Sequence, residues 1–162
     1  MRTRNLRSFV YITGGLGLIF SLFTALEVYE SSLQRLCTYN SFFSCGAVDS
    51  SGHTTTFGVP DSLIGILGFV VILVIAGIAE RWPGARTWPY LLVVVTGLGT
   101  AASLYFLYVQ LAIIGAFCVI CGSAYVFGWV TFGGAVALAR RTDAERRSPG
   151  EPGPADDGDA AD

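Results

Sequence analysis

The sequence predicts an all-α membrane protein, a four-transmembrane-helix bundle with a long outer loop capping its active site. Three observations carry that expectation. The chain of 162 residues is 52% hydrophobic and only 14% charged, well under the roughly 25% charge of a soluble domain, and its mean hydropathy is +0.58. Four long runs contain no charged residue: Phe9–Leu26, Ser62–Ala79, Pro89–Val109 and Cys118–Ala139. All but one of the ten arginines, in a chain without lysine, lie in the two termini and the connection between the second and third runs.

Each run is long enough, at about 1.5 Å per helical residue, to cross a ~30 Å hydrocarbon core. In lipid only helices and closed barrels satisfy every backbone polar group, and these runs are too long and continuous for barrel strands. Arg2, Arg4 and Arg7 ahead of the first run would also suit a signal peptide, but no small-residue cleavage site follows it. The first run is therefore read as a helix.

Arginine placement gives the orientation. Nine of the ten arginines flank the runs on one side, at positions 2, 4, 7, 81, 86, 140, 141, 146 and 147, and only Arg35 falls on the other. The positive-inside rule makes the arginine side cytoplasmic. The expected organisation is a basic cytoplasmic N-terminus over residues 1–8, a four-helix transmembrane domain over 9–139, and a cytoplasmic, largely disordered acidic tail over 140–162. From Ser148 the tail is rich in Pro, Gly, Ala and Asp and has too little apolar surface to fold. The expected location is the inner (plasma) membrane, with the active site on the outer face. A net charge of −2 and the absence of a basic stripe argue against a nucleic-acid partner.

All four cysteines map to the outer side. Cys37 and Cys45 lie in the long loop from Val28 to Asp61, seven residues between them, and Cys118 and Cys121 form a C-V-I-C motif entering the fourth helix. None lies where cytoplasmic reductants would hold it reduced. The placement favours one loop pair and one CxxC pair among the three pairings that four cysteines allow. Simpler roles compete: a buried apolar cysteine, a structural loop disulfide, or a tetrathiolate zinc site. Zinc sites usually combine two closely spaced pairs, and the loop pair is too far apart. The pattern reads as redox chemistry without a metal.

Residues three apart share a helical face, so Cys118 and Cys121 should project together, with Tyr125 one turn deeper. Cys118 is expected in the first turn, where the dipole and free N–H groups favour a thiolate, and is expected to face water while Cys121 looks into the membrane. Tyr125 reads either as an interfacial aromatic anchor or as part of the cysteine stripe. In the loop, Leu33, Leu36, Tyr39 or Asn40, and Phe43 recur at helix-like spacing, suggesting an amphipathic helix lying on the bundle. Phe57 is expected to dip back into the interface. His53, the only histidine, reads as a solvated side chain or a proton relay.

These residues closely resemble the vitamin K epoxide reductase family in its prokaryotic form, over about residues 9 to 139. The resemblance rests on L-C-x7-C after the first helix, G-V-P-D-S-L-I-G opening the second, and F-C-V-I-C-G-S-A-Y opening the fourth. It implies a helical bundle around a quinone (menaquinone, ubiquinone or phylloquinone), capped by the loop. It implies that Cys37 takes electrons from a thioredoxin-like (DsbA-like) protein and that Cys45 passes them to Cys118. Cys121 then reduces the quinone, in support of disulfide bond formation. By the same resemblance Tyr125 bonds a quinone oxygen, Ser51 matches a loop serine or threonine, and Asp61 stands where many relatives carry an asparagine that donates to the other oxygen. Asp61 also reads as a helix N-cap; as an acid, though not as a carboxylate, it can donate to a quinone. No second CxxC follows Cys121, so the thioredoxin-like partner is expected to act in trans, with membrane lipid as the other partner.

Other functions compete. A eukaryotic-type reductase of vitamin K epoxide shares the cysteine machinery. A disulfide bond formation protein B type oxidase carries its CxxC in the first outer loop rather than the second. A small multidrug transporter wants a mid-membrane carboxylate, whereas Glu27 and Asp61 fall at helix ends. A structural membrane subunit leaves the cysteine placement unexplained.

Overall fold

The computed structural model describes residues 3–30, 39–52, 55–56, 59–82 and 87–147. Cys37, Leu33, Leu36, His53, Phe57 and the tail from Ser148 lie outside the described residues, with the expectations attached to them.

Four helices are long and apolar enough to cross a membrane, which makes the chain a multi-pass membrane protein with the expected bundle. In chain order, α1 (Thr3–Tyr29) leads to a short α2 (Cys45–Ser50) and an antiparallel pair, β1 (Thr55–Thr56) and β2 (Val59–Pro60). The long helices α3 (Asp61–Arg81), α4 (Thr87–Tyr108) and α5 (Val119–Arg147) follow, and a π-helical turn, Val109–Ile114, prolongs α4. Helices α1 and α5 extend past Phe9 and Ala139, where the apolar runs stop. An apolar run measures the lipid, whereas helical hydrogen bonding continues into flanks whose arginines reach back to the interface.

Helix α1 packs on α3 and α5, and α4 packs on the same two. Lipid is as apolar as leucine, so small residues and polar contacts, rather than the hydrophobic effect, join such helices. At Gly17 a Cβ would lie 2.2 Å from the Phe69 ring, so only glycine lets α3 approach here. The buried hydroxyls of Thr13 and Thr131 meet at 3.0 Å between α1 and α5. Trp129 donates its indole N–H to Ser103 at 2.7 Å, tying α5 to α4. Ile12, Ile19, Leu67 and Leu98 are each at least 60% exposed and form the lipid-facing side.

The bundle has two distinct ends. Leu6 and Val10 of α1 pack with Ile75 and Ala76 of α3, Leu92 of α4 and Leu138 of α5. That core lies in the half bearing Arg4, Arg7, Arg81, Arg140 and Arg141, where Tyr90 also hydrogen-bonds Asp143. A smaller cluster of Cys45, Val48, Ala116 and Cys118 fills the opposite end.

The loop over that end differs from expectation at residues 39–43. Instead of an amphipathic helix, Asn40 accepts the backbone N–H groups of Phe42 (3.0 Å) and Phe43 (2.7 Å), an Asx turn. Tyr39 is 83% exposed. Anchoring comes from the backbone: Phe117 donates its N–H to the Phe42 carbonyl at 2.7 Å, and the Phe43 and Phe117 rings meet edge-on at 6.2 Å.

Candidate functional site

The site is assembled where three chain segments converge. The first is the last turns of α1, carrying Glu27. The second is α2, which Ser44 starts as its N-cap by accepting the Ala47 N–H at 3.2 Å, and which begins with Cys45. The third is the link from the π-helical turn into α5, which Gly115 makes by adopting a left-handed φ of 71° that side chains disfavour.

Cys118 stands just before α5, in the cap position rather than inside the helix. Its sulfur accepts the Cys121 N–H at 3.2 Å and its carbonyl accepts the Gly122 N–H at 2.9 Å. The thiol thus takes the place that a serine or aspartate oxygen usually takes at a helix start. Phe117 folds over this turn, its ring where a Cβ on residue 122 would sit at 2.4 Å, so glycine is required there. Cys118 does not face water as expected. It is 2% exposed and packed beneath α2, because the loop closes over it, while Cys121 is half-buried.

Cys45 is disulfide-bonded, whereas Cys118 and Cys121 are in the thiol form. The sulfurs of Cys45 and Cys118 and a carboxylate oxygen of Glu27 all lie within 4.8 Å of one another. Such a trio also has the makings of a metal-binding donor set. A metal ligand must be a thiolate, however, and a disulfide sulfur carries none, so Cys45 is not such a ligand while bonded.

One turn past Cys121 in α5, the Tyr125 phenol lies within electrostatic range of Cys121, Cys118 and Asp61. Four of the residues read from the sequence, from the starts of two separate helices, are therefore brought together. Asp61 is half-buried and opens α3 as its first residue. The N-cap expected of it belongs to Pro60, which makes no side-chain cap bond. Proline at the end of the β-pair takes the cap position, so the helix starts on the expected cap residue itself, and the Asp61 charge then acts on the helix dipole. Ser51 closes α2, its hydroxyl donating to the Val48 carbonyl at 2.7 Å.

Two residues were not singled out by sequence reasoning. Gln110, in the π-helical turn and 4% exposed, accepts the Cys118 N–H on Oε1 at 3.1 Å and donates from Nε2 to the Tyr125 oxygen at 3.1 Å. Glu27 is 1% exposed. Each has a signal in the sequence. Gln110 is the lone amide in an apolar stretch, and Glu27 is a carboxylate closing an otherwise uncharged membrane run.

Two sulfurs of different segments thus lie within 4.8 Å of each other, buried under a loop at one end of a membrane bundle, an arrangement consistent with thiol–disulfide chemistry. The chain matches the Vitamin K epoxide reductase family over residues 8–136. That match covers most of its length and all four membrane helices, and the chain belongs to that family of membrane redox proteins.

Proposed function

We propose that the protein is a quinone-dependent thiol–disulfide oxidoreductase, moving electrons from a reduced thioredoxin-like protein to a quinone in support of disulfide bond formation. One observation carries this reading: the disulfide-bonded Cys45 sulfur lies within 4.8 Å of the free Cys118 thiol. The loop pair favoured by the sequence makes Cys37 the partner proposed for Cys45.

In this scheme the donor dithiol attacks Cys37 and leaves both loop cysteines reduced. The Cys45 thiolate then attacks Cys118 in a Cys118–Cys121 disulfide, and Cys121 leaves with the electron pair. Cys37 attacks Cys45, restoring the loop disulfide and releasing Cys118. Two electrons have moved inward, giving an oxidised loop pair and a reduced CxxC. The CxxC dithiol then gives two electrons and two protons to the quinone and returns to the disulfide. The backbone N–H at the Cys118 sulfur supports the charge that builds there during exchange.

The Tyr125–Asp61 neighbourhood suits the quinone. Because the Tyr125 oxygen accepts from Gln110, its own O–H is left to donate, and Asp61 offers a second polar group across the gap between α3 and α5. The arginine-bearing end is assigned to the cytoplasm, and the thiol end to the outer face of the plasma membrane.

Purified protein supplied with a reduced thioredoxin-like donor and a quinone is expected to form one quinol per donor dithiol oxidised, followed by quinone absorbance. Donor oxidation with no quinone consumed would rule out this reading.

A further inference from the structure

We propose that Glu27 is the proton carrier for the exchange between Cys45 and Cys118, a role resting on the relay above. A carboxylate oxygen of Glu27 lies within 4.8 Å of both sulfurs, and the residue is 1% exposed. Charged side chains are rarely buried so deeply without a function, least of all where an apolar run meets the membrane surface. Bulk water does not reach Cys118, itself 2% exposed. A thiol must nevertheless lose its proton before it attacks, because the thiolate is the nucleophile. The sealed site therefore needs an internal acceptor, and Glu27 is the carboxyl placed beside the reacting sulfurs. Of the other titratable groups described at this end, Cys121 and Asp61 lie near Tyr125, while Glu30, Tyr39, Tyr105 and Tyr108 are exposed. The remaining gap is one that a side-chain rotation closes or a single water bridges.

The step balances as follows. Glu27 takes the Cys118 proton, and the Cys118 sulfur forms a bond to Cys45. The bond between Cys45 and its present partner breaks, and the departing sulfur leaves with the electron pair and is protonated from the aqueous side. In the forward relay, Glu27 takes the proton of Cys45 as that sulfur attacks Cys118, and gives it to Cys118 when Cys37 displaces it. One carboxyl thus serves both directions without water entering.

The exchange can be isolated from the quinone step in full-length protein carrying Cys121→Ala. There Cys118 has only the loop disulfide to attack, and the released Cys37 is captured by excess alkylating reagent and counted by mass spectrometry. Adding Glu27→Gln, which keeps the shape but cannot carry a proton, is expected to slow capture on the order of 10²-fold at neutral pH. The deficit should shrink as hydroxide takes over at alkaline pH. Equal rates with and without Glu27 at every pH overturn the role and leave the relay standing. No Cys45–Cys118 bond in either protein overturns the relay and the role with it. If the Gln variant does not fold, the Cys121→Ala protein alone decides. An internal base gives a rate insensitive to pH around neutrality, and a rate rising in direct proportion to hydroxide overturns the proposal.

Discussion

Gln110 donates its amide N–H to the phenol oxygen of Tyr125 at 3.1 Å, and the direction of that bond is set by the other end of the same side chain. Oε1 accepts the Cys118 backbone N–H at 3.1 Å. A backbone amide only donates, so the oxygen must face Cys118 and the NH₂ must face Tyr125. The tyrosine proton is thereby turned away from Gln110. Gln110→Leu leaves two buried partners unsatisfied, at about 1–3 kcal/mol each, and should lower the thermal midpoint and turnover together. Gln110→Glu keeps an acceptor for Cys118 but makes the Tyr125 O–H donate to it. The expected result is at least about a tenfold loss in kcat/KM for the quinone, corresponding to roughly 1.4 kcal/mol, with donor oxidation in the first half-reaction retained. Equal kcat/KM in wild type and Gln110→Glu would refute the orienting role.

The order of the cysteines predicts which variants trap a partner. If the donor enters at Cys37, Cys45→Ala removes the thiol that reverses the donor–Cys37 mixed disulfide. That variant is expected to accumulate a covalent complex on non-reducing gels. Cys37→Ala should accumulate none, since Cys45 is 1% exposed beneath the loop. Equal trapping by both would reverse the assigned order.

Orientation is open to a direct check at the loop surface. Tyr39 is 83% exposed at the thiol end, so Tyr39→Cys should react with a membrane-impermeant maleimide added outside intact cells. Arg146→Cys, at the other end, should react only after the membrane is breached. The reverse pattern would invert the topology.

The bundle was legible in the sequence because lipid imposes a simple rule. Each span from Phe9–Leu26 onward shows itself as an uncharged run, and arginines mark its ends. The pairing of Cys118, Cys121 and Tyr125 was legible too, since helical spacing places them on one stripe. Helix ends were not. Cys118 was expected inside the fourth helix and Asp61 at a cap, and each sits one position away, because local cap geometry decides where hydrogen bonding starts. The loop was the least legible part. Asn40 forms a turn that competes with the helix-like spacing of Tyr39 and Phe43. Glu27 and Gln110 show locally only as a carboxylate and an amide in apolar stretches; the segments they meet lie far along the chain, and no local pattern reports those.

Packing between α1 and α3 makes a separate prediction. The Phe69 ring occupies the space of a Cβ on residue 17, at 2.2 Å. Gly17→Ala forces the ring or the helix aside, and overpacking of this kind costs about 1–3 kcal/mol. A lower thermal midpoint in detergent is expected, with partial recovery when Phe69→Leu is added. Additive losses in the double variant would show that the two residues do not compete for the same space.

Asp61 separates a structural role from a chemical one most sharply. It is the first residue of α3, one past the cap position held by Pro60, and lies within electrostatic range of Tyr125. As a first-turn acid it favours the helix dipole by about 0.3–1 kcal/mol. As a group facing the quinone it donates a hydrogen bond only in its acid form, because a carboxylate has no proton to give. Quinone reduction consumes two protons, so an acid form here is useful twice. Wild-type turnover should therefore fall as pH rises and the acid form is lost. Asp61→Asn carries a permanent N–H donor and no titrating proton. It should bind quinone with similar affinity, lose the alkaline limb of the pH profile, and lose only the small dipole contribution to stability. Asp61→Ala, lacking any donor, should raise KM for the quinone about tenfold, as expected for a hydrogen bond of roughly 1.4 kcal/mol. An alkaline limb that persists unchanged in Asp61→Asn would assign that titration to another group and leave Asp61 only its place at the helix start.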